Sequence, residues 1–274
     1  MIFPQRDLYA EPPFEAIERR FLFVPERLSL PLPVPTCYPQ VVFKERSPVL
    51  ERIDTGDYTP EEYETFLREI AFINRHLGDG RALGKSLLRE IEREGLNEFS
   101  VLDVGSGSGE LLRMIAEFAR RTGRNAKLTG LDLNPISAAA TRSAASRFPE
   151  ISSVRGDAFE LPFTDGSFDY TISSLFFHHL TDRQIPHVLR EMSRVASRGF
   201  FIIDLHRHPA AYVLYQIFCL AFRISPLVRQ DGSLSVLRGF KPEEVVEFVR
   251  ASGLRLRTAE RAAPFRIVVS GESP

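Results

Sequence analysis

Apolar positions change their spacing at about residue 100. Before it, Tyr63, Phe66, Leu67, Ile70, Ile73 and Leu77 recur every three or four residues, and Leu83, Leu87, Leu88 and Ile91 repeat the pattern, which marks two amphipathic helices. Thr59-Pro60-Glu61-Glu62 opens the first with a capping box and proline in the first turn, and Gly78 closes it. The second is expected over residues 81–94, with Gly95 as its stop. From Ser100 onward, short apolar runs alternate with helical stretches: SVLDV, KLTGLDL, a weaker run near 151–155, FDYTISS and GFFIID (199–204). A helix over 182–196, a helix from Pro242 to Gly253 and a strand pair at 254–260 and 264–270 complete the chain. Alternation on this scale predicts an α/β fold, a parallel sheet covered by helices on both faces.

Two stretches break the rhythm. Nine of the 19 prolines fall within residues 1–50, among them LPLPVPTCYP, which excludes a regular helix and most of a central strand. Residues 1–45 therefore read as a Pro-rich arm, with FLFV (21–24) and QVVF (40–43) as candidate edge strands, residues 46–99 as a helical cap and 100–274 as the main domain. The second break is an insertion over 205–241, where 37 residues separate Asp204 from Pro242. It carries an apolar helical stretch, AAYVLYQIFCLAF, and an expected turn at Asp231-Gly232-Ser233. Insertions at the carboxyl ends of strands lie over the ligand crevice of such sheets. Residues 205–241 thus read either as a substrate lid, with 211–222 as a wall and Arg238 or Phe240 reaching inward, or as an extra helix on the body.

Composition narrows the function classes. Hydrophobic residues at 43% and charged residues at 26% are ordinary for a globular chain. A net charge of -1, from 35 basic and 36 acidic residues, supplies no general attraction for nucleic acid or an anionic surface. Two cysteines cannot form a disulfide framework, so a reducing, cytoplasmic setting is expected. The first 20 residues lack an apolar signal core, and no apolar run is long enough for stable membrane insertion.

The chemistry concentrates in VLDVGSGSGE (101–110). Gly105, Gly107 and Gly109 between a strand and a helix let the backbone approach a ligand, with helix N–H groups directed at it. The dinucleotide fingerprint requires G-x-G-x-x-G, whereas here the third glycine arrives one residue early. A nicotinamide oxidoreductase is therefore disfavoured. Asp132 ends the second strand, where a carboxylate can accept from two ribose hydroxyls, and Asp157 follows the third, within reach of an adenine amino group.

VLDVGSGSGE, GLDLNP, GDAFELPFTDGSFDYTISSLFFHHL and REMSRVASRGFFIID together resemble a class I S-adenosylmethionine-dependent methyltransferase, over about residues 100–270. Small-molecule O-methyltransferases and quinone C-methyltransferases are the similar members. The resemblance implies a Rossmann-like seven-stranded sheet of order 3-2-1-4-5-7-6 with the seventh strand antiparallel, and S-adenosylmethionine as cofactor, released as S-adenosylhomocysteine. It implies Asp103, Gly105, Ser106 and Gly107 at the methionine end, Asp132 and Leu133 at the ribose and adenine, Asp157 and Ala158 at the adenine edge, and Ser173 facing the sulfonium. In some related O-methyltransferases a histidine pair and an Asp ending the fifth strand serve as base and orienter. His178, His179 and Asp204 occupy those places here. Adjacent residues diverge in direction, so at least one histidine, not both facing the acceptor, is expected in the pocket, with His206 and His208 as second-line candidates and no metal. The leading expectation is methylation of a hydroxyl on a hydrophobic, aromatic small molecule. Methylation of a quinone ring carbon and a catalytically silent cofactor-binding protein remain the alternatives. Nucleic acid is not expected as a partner; a homodimer is possible.

Overall fold

The computed structural model describes residues 43–144 and 146–273. The expected Pro-rich arm, with its candidate edge strands, lies outside the described residues apart from its last three. A one-turn helix, α1 (Arg52–Thr55), leads into α2 (Pro60–His76), which starts as its capping box requires: the Thr59 hydroxyl accepts the Glu62 N–H while the Glu62 carboxylate accepts the Thr59 N–H. The next helical stretch runs as α3 (Asp79–Leu83), one π-helical turn (Gly84–Leu88) and α4 (Arg89–Arg93).

The sheet then begins. β1 (Glu98–Val104), α5 (Glu110–Arg121), β2 (Asn125–Asp132), α6 (Pro135–Ala144) and β3 (Ile151–Arg155) form the first half. β4 (Phe168–Ser174), α7 (Ile185–Val195), β5 (Ala196–Leu205), α8 (Pro209–Ala221), α9 (Pro226–Arg238), α10 (Pro242–Ala251), β6 (Arg255–Ala262) and β7 (Arg266–Glu272) form the second. The seven strands lie in the order β3-β2-β1-β4-β5-β7-β6, with β7 antiparallel to both neighbours. Register sets Val104 beside Leu131, Asp103 beside Ile172 and Ser174 beside Ile203. Chain segments leaving β1, β2, β4 and β5 therefore emerge along one edge, where ligands of such sheets bind.

Each face of the sheet has its own core. On one, Leu102, Phe200 and Ile202 meet Val188, Leu189 and Met192 of α7 and Val245 and Val249 of α10. On the other, Val101, Tyr170 and Phe201 meet Leu112 and Ile115 of α5 and Leu83, Leu87 and Ile91. The second half of the expected cap, α3 to α4, is thus a layer of the sheet sandwich. Helix α2 does something different: Ile73, Phe66, Ile70 and Leu77 join Tyr215, Phe218 and Cys219 of α8 and Val228 of α9 in a third cluster. The N-terminal helix and the insertion after β5 form one helical layer.

Asp231-Gly232-Ser233 is not the expected turn; it lies inside α9. The residues that suggested a turn are used in packing. Asp231 is buried and accepts the N–H groups of Arg52 (3.0 Å) and Ile53 (3.1 Å), capping α1. A Cβ on Gly232 would stand 2.0 Å from the Tyr215 hydroxyl, so glycine permits the close approach of α8 and α9.

Candidate active site

The strand–turn–helix after β1 is held by its neighbour. The Leu131 carbonyl accepts the N–H groups of Gly105 (2.9 Å) and Ser106 (3.1 Å), and Asp132 accepts that of Gly107 through Oδ2 and that of Asn134 through Oδ1, both at 2.9 Å. Gly105 has φ +75°, and a Cβ there would lie 2.7 Å from the Phe176 ring, so glycine is required twice over. Gly107, at φ +53°, has nothing within 4 Å of where its Cβ would stand. The Ser106 hydroxyl is buried with no hydrogen-bond partner. An open cradle, an orphaned hydroxyl and a carboxylate at the end of β2 fit an adenosyl ligand, whose ribose and methionine groups bring donors and acceptors. Burial lifts Asp132 to about 6, and burial with the neighbouring Asp132 charge lifts Asp103 to about 7.

The other cofactor candidates sit around this turn. Asp157 accepts the Phe159 N–H at 2.9 Å, closing the loop after β3. Leu133 is half-buried beside Asp132, and Ala158 packs with Leu102, Leu131 and Leu161 beneath it. Ser173 departs from its expected position. It is fully buried and its hydroxyl donates to the Val104 carbonyl at 2.7 Å, so it fastens β4 to the end of β1 and presents no hydroxyl to the cleft. The side chain against the glycine turn is Phe176, which follows Leu175 at φ +52°. A non-glycine residue in that region is strained, a state that clusters at functional sites.

That bend drives the chain into a 3-10 turn, Phe177–His179. His178 Nδ1 lies 2.7 Å from Asp204 Oδ1, and its backbone N–H donates to Asp204 Oδ2 at 3.2 Å. His179 Nδ1 lies 2.7 Å from Asp54 Oδ1. The two rings do not diverge as expected; their centroids are 4.2 Å apart. The tight turn and a separate carboxylate for each ring bring them side by side. Glu51 closes the cluster: its buried Oε1 has no hydrogen-bond partner and lies 3.8 Å from His178 Nε2.

Arginines tie the cluster together. Arg238, buried, donates to the carbonyls of His178 (2.9 Å), His179 (2.8 Å) and Val49 (2.8 Å). Arg46 donates to the carbonyls of His178 (3.1 Å) and Leu180 (2.9 Å) and lies over the Phe240 ring. Burial opposes charge on Asp204, but the His178 charge and hydrogen bond hold it below the usual carboxylate range. Burial likewise opposes charge on His179, yet Glu51 and Asp54 outweigh it and raise the imidazole to about 9. Glu51 is shifted upward by burial. Glu51, His178 and His179 bring one metal-ligand atom each within 4.8 Å of one another. A cation already stands on that carboxylate, however, with Arg238 Nε 3.9 Å from Glu51 Oε1, which favours shared protons over an ion.

The second-line histidines have structural work. His208 caps α8, its Nδ1 accepting the Ala210 N–H at 3.1 Å, and His206 is bridged through its backbone to Phe265 and Phe240. Arg207 between them is buried against Glu244 and the carbonyls of Phe43, Lys44 and Gly239. Glu51, Asp54, Arg46 and Phe176 were missed by sequence reasoning. Glu51-x-x-Asp54 before Gly56 reads as a one-turn capping box, which it also is, and nothing local connects it to residues more than 120 positions away.

A protein-family profile described as a methyltransferase domain matches residues 101–199. A demethylmenaquinone methyltransferase of Deinococcus radiodurans is 28% identical over 227 residues, covering 78% of this chain and 92% of that protein. A 2-phytyl-1,4-naphtoquinone methyltransferase of Thermosynechococcus vestitus is 31% identical over 136 residues, covering 48% of this chain and 58% of that protein. Among solved structures, a SAM-dependent methyltransferase from Aquifex aeolicus superposes with a TM-score of 0.56 at 18% identity, over 79% of this chain and all of that one. Magnesium protoporphyrin IX methyltransferase from Synechocystis with bound SAH gives 0.53 at 14% identity, over 74% and 88%. With the sheet order and the glycine turn, these matches support a class I S-adenosylmethionine-dependent methyltransferase.

Proposed function

We propose that the enzyme methylates a ring carbon of a hydrophobic, quinol-type aromatic molecule. The observation that carries this reading is the buried His178–Asp204 pair two residues beyond Phe176, whose ring touches the glycine turn. The relatives' names support the ring-carbon alternative over the hydroxyl acceptor expected from the sequence. S-adenosylmethionine supplies an electrophilic methyl group on a sulfonium. Asp132 accepts from the ribose hydroxyls, with Leu133 beside the adenine and Asp157 and Ala158 at its edge, while Asp103 and residues 105–107 hold the methionine end. With Nδ1 committed to Asp204, neutral His178 carries its lone pair on Nε2, beside Glu51, and takes there the proton of a quinol hydroxyl, the general-base task that imidazole performs near neutral pH. Losing that proton raises electron density on the adjacent ring carbon, which forms the new C–CH3 bond as the S–CH3 bond breaks. The hydrogen on that carbon then leaves as a proton while the ring oxygen regains one, which restores the aromatic quinol. His179, held cationic by Asp54 and Glu51, stabilises the developing oxyanion in a buried setting where such a charge is most effective. Helices α2, α8 and α9 wall the acceptor side and exclude water. Arg238 fastens the end of α9 to both histidine carbonyls, so this part of the insertion sets the wall position rather than swinging freely.

The test is incubation of the purified chain with methyl-labelled cofactor and a demethylnaphthoquinol kept reduced. Carbon NMR of the product is expected to show a methyl on ring carbon, with none formed from the oxidised quinone. A methyl ether product would restore the hydroxyl reading. Cofactor binding without turnover on either phenols or quinols would leave a silent binding protein.

A further inference from the structure

Helix α8 carries no charged residue, yet among the described residues only one side of it is covered. Ala211, Tyr215 and Cys219 are buried toward α2 and α9, whereas Val213, Leu214, Ile217 and Leu220 are each more than half exposed, as is Phe222 at the helix end. Phe72 of α2 extends this face, its ring 5.4 Å from Phe222 and 6.0 Å from Phe218. Soluble monomers seldom leave a contiguous apolar patch of this kind uncovered. The rim of the patch is basic. Exposed Arg68, Arg75 and His76 share the Phe72 face of α2 by helical spacing, Arg75 with its charge met by Glu110 at 3.2 Å, and exposed Arg223 follows Phe222.

We propose that this face seats the enzyme on an anionic lipid bilayer, lying in the interface. An apolar helical face flanked by basic side chains is the pattern that buries itself at the headgroup boundary and gains from anionic lipid. Among the described residues, no helix is long and apolar enough to cross a membrane. A second copy is the weaker occupant, because a two-fold pairing of this patch would bring like-charged rims together. The inference rests on the surface alone and goes beyond the proposed chemistry. It supplies a route by which an apolar acceptor dissolved in lipid reaches a site walled by the same helical layer.

Flotation of the full chain with phosphatidylcholine vesicles, with and without phosphatidylglycerol, tests it. The chain is expected to float with the anionic vesicles, and about tenfold less with neutral ones or in high salt. Leu214→Glu/Ile217→Glu/Leu220→Glu should abolish flotation while S-adenosylhomocysteine binding persists, which shows that the variant is folded. Arg68→Gln/Arg223→Gln should lose the anionic preference alone. A wild-type chain that stays unbound on every vesicle overturns the proposal, and so does a triple variant that floats as well as wild type. A wild-type dimer that becomes monomeric in the triple variant assigns the face to a second copy and equally overturns it. Methylation of a detergent-dissolved quinol is measured in parallel, so that failure of the acceptor chemistry is told apart from failure of the surface.

Discussion

Around Gly105 and Asp132 most hydrogen bonds are short-range, Leu131 to Gly105 and Ser106 and Asp132 to Gly107 and Asn134, with Thr141 of the next helix donating to the Gly107 carbonyl. Around His178 they join residues 46–54, 178–182, 204 and 238, drawn from four separate parts of the chain. The cofactor half is built from backbone and isolated carboxylates, while the acceptor half is built from buried charges held by one another. Backbone donors tolerate many side chains nearby, so a shared cofactor can be bound by a local motif. A buried charge must have its partners present at once, so the acceptor half works only when the distant segments are docked. Changes there should damage chemistry and folding together, and changes in the cofactor half should damage binding more than folding.

The largest effect expected is on chemistry. His178→Ala should lower turnover by about 10²–10⁴-fold, the range for a positioned acid–base group, with S-adenosylhomocysteine affinity unchanged by calorimetry. A loss under tenfold would place the base elsewhere and weaken the division between the halves. Arg238→Ala comes next, because it strips three carbonyls of a buried donor. Chemical denaturation should show a loss of about 3 kcal/mol, and Arg238→Lys should not restore it, since one ammonium cannot span three carbonyls in that planar arrangement. Equal stability of wild type and Arg238→Ala would mean that the acceptor half does not depend on docking of α9.

Asp132→Ala should weaken S-adenosylhomocysteine binding by about 1.5–3 kcal/mol and, because it strips the Gly107 and Asn134 N–H groups of their acceptor, cost about 1–2 kcal/mol of stability, with the His178 region intact. Unaltered affinity in the folded variant would remove Asp132 from the cofactor site. The smallest effect is on pH. In the proposed site the ribose hydroxyls donate to the ionised carboxylate, and burial lifts Asp132 to about 6, so affinity should be full above that value and fall as pH drops through it. The fall should approach tenfold per unit below pH 6 and be flattened in Asp132→Asn. A fall of the same size in that variant would assign the titration to another group, Asp103 first.

Much of the fold was legible beforehand because its signals are local and repeated. Capping at Thr59, the strand–glycine–helix passage at 101–110 and the alternation after Ser100 each report a period or a turn that a short window contains. The Asp231-Gly232-Ser233 turn failed for the converse reason: its residues have two uses, and packing against α1 and Tyr215 selected the helical one. Ser173 and Phe176 show the same limit at the site. Three positions apart on one strand and its exit, they differ in what they reach: the Val104 carbonyl captures the serine hydroxyl, while the strained Leu175 turns the phenylalanine onto Gly105.

By itself the sequence determined the order of strands and helices, the cofactor turn, the carboxylate at the end of β2 and the presence of two adjacent histidines beside an aspartate-ended strand. These follow from short-range sterics, backbone hydrogen bonding and hydrophobic period, which adjacent residues specify. Only the tertiary structure decided that Glu51 and Asp54 meet the histidine pair, that both histidines are individually paired with carboxylates, that Arg238 fastens them and that, among the described residues, nothing covers the apolar face of α8. Each of these depends on desolvation and charge pairing between segments far apart in the chain, whose energies exist only once folding has excluded water from between them.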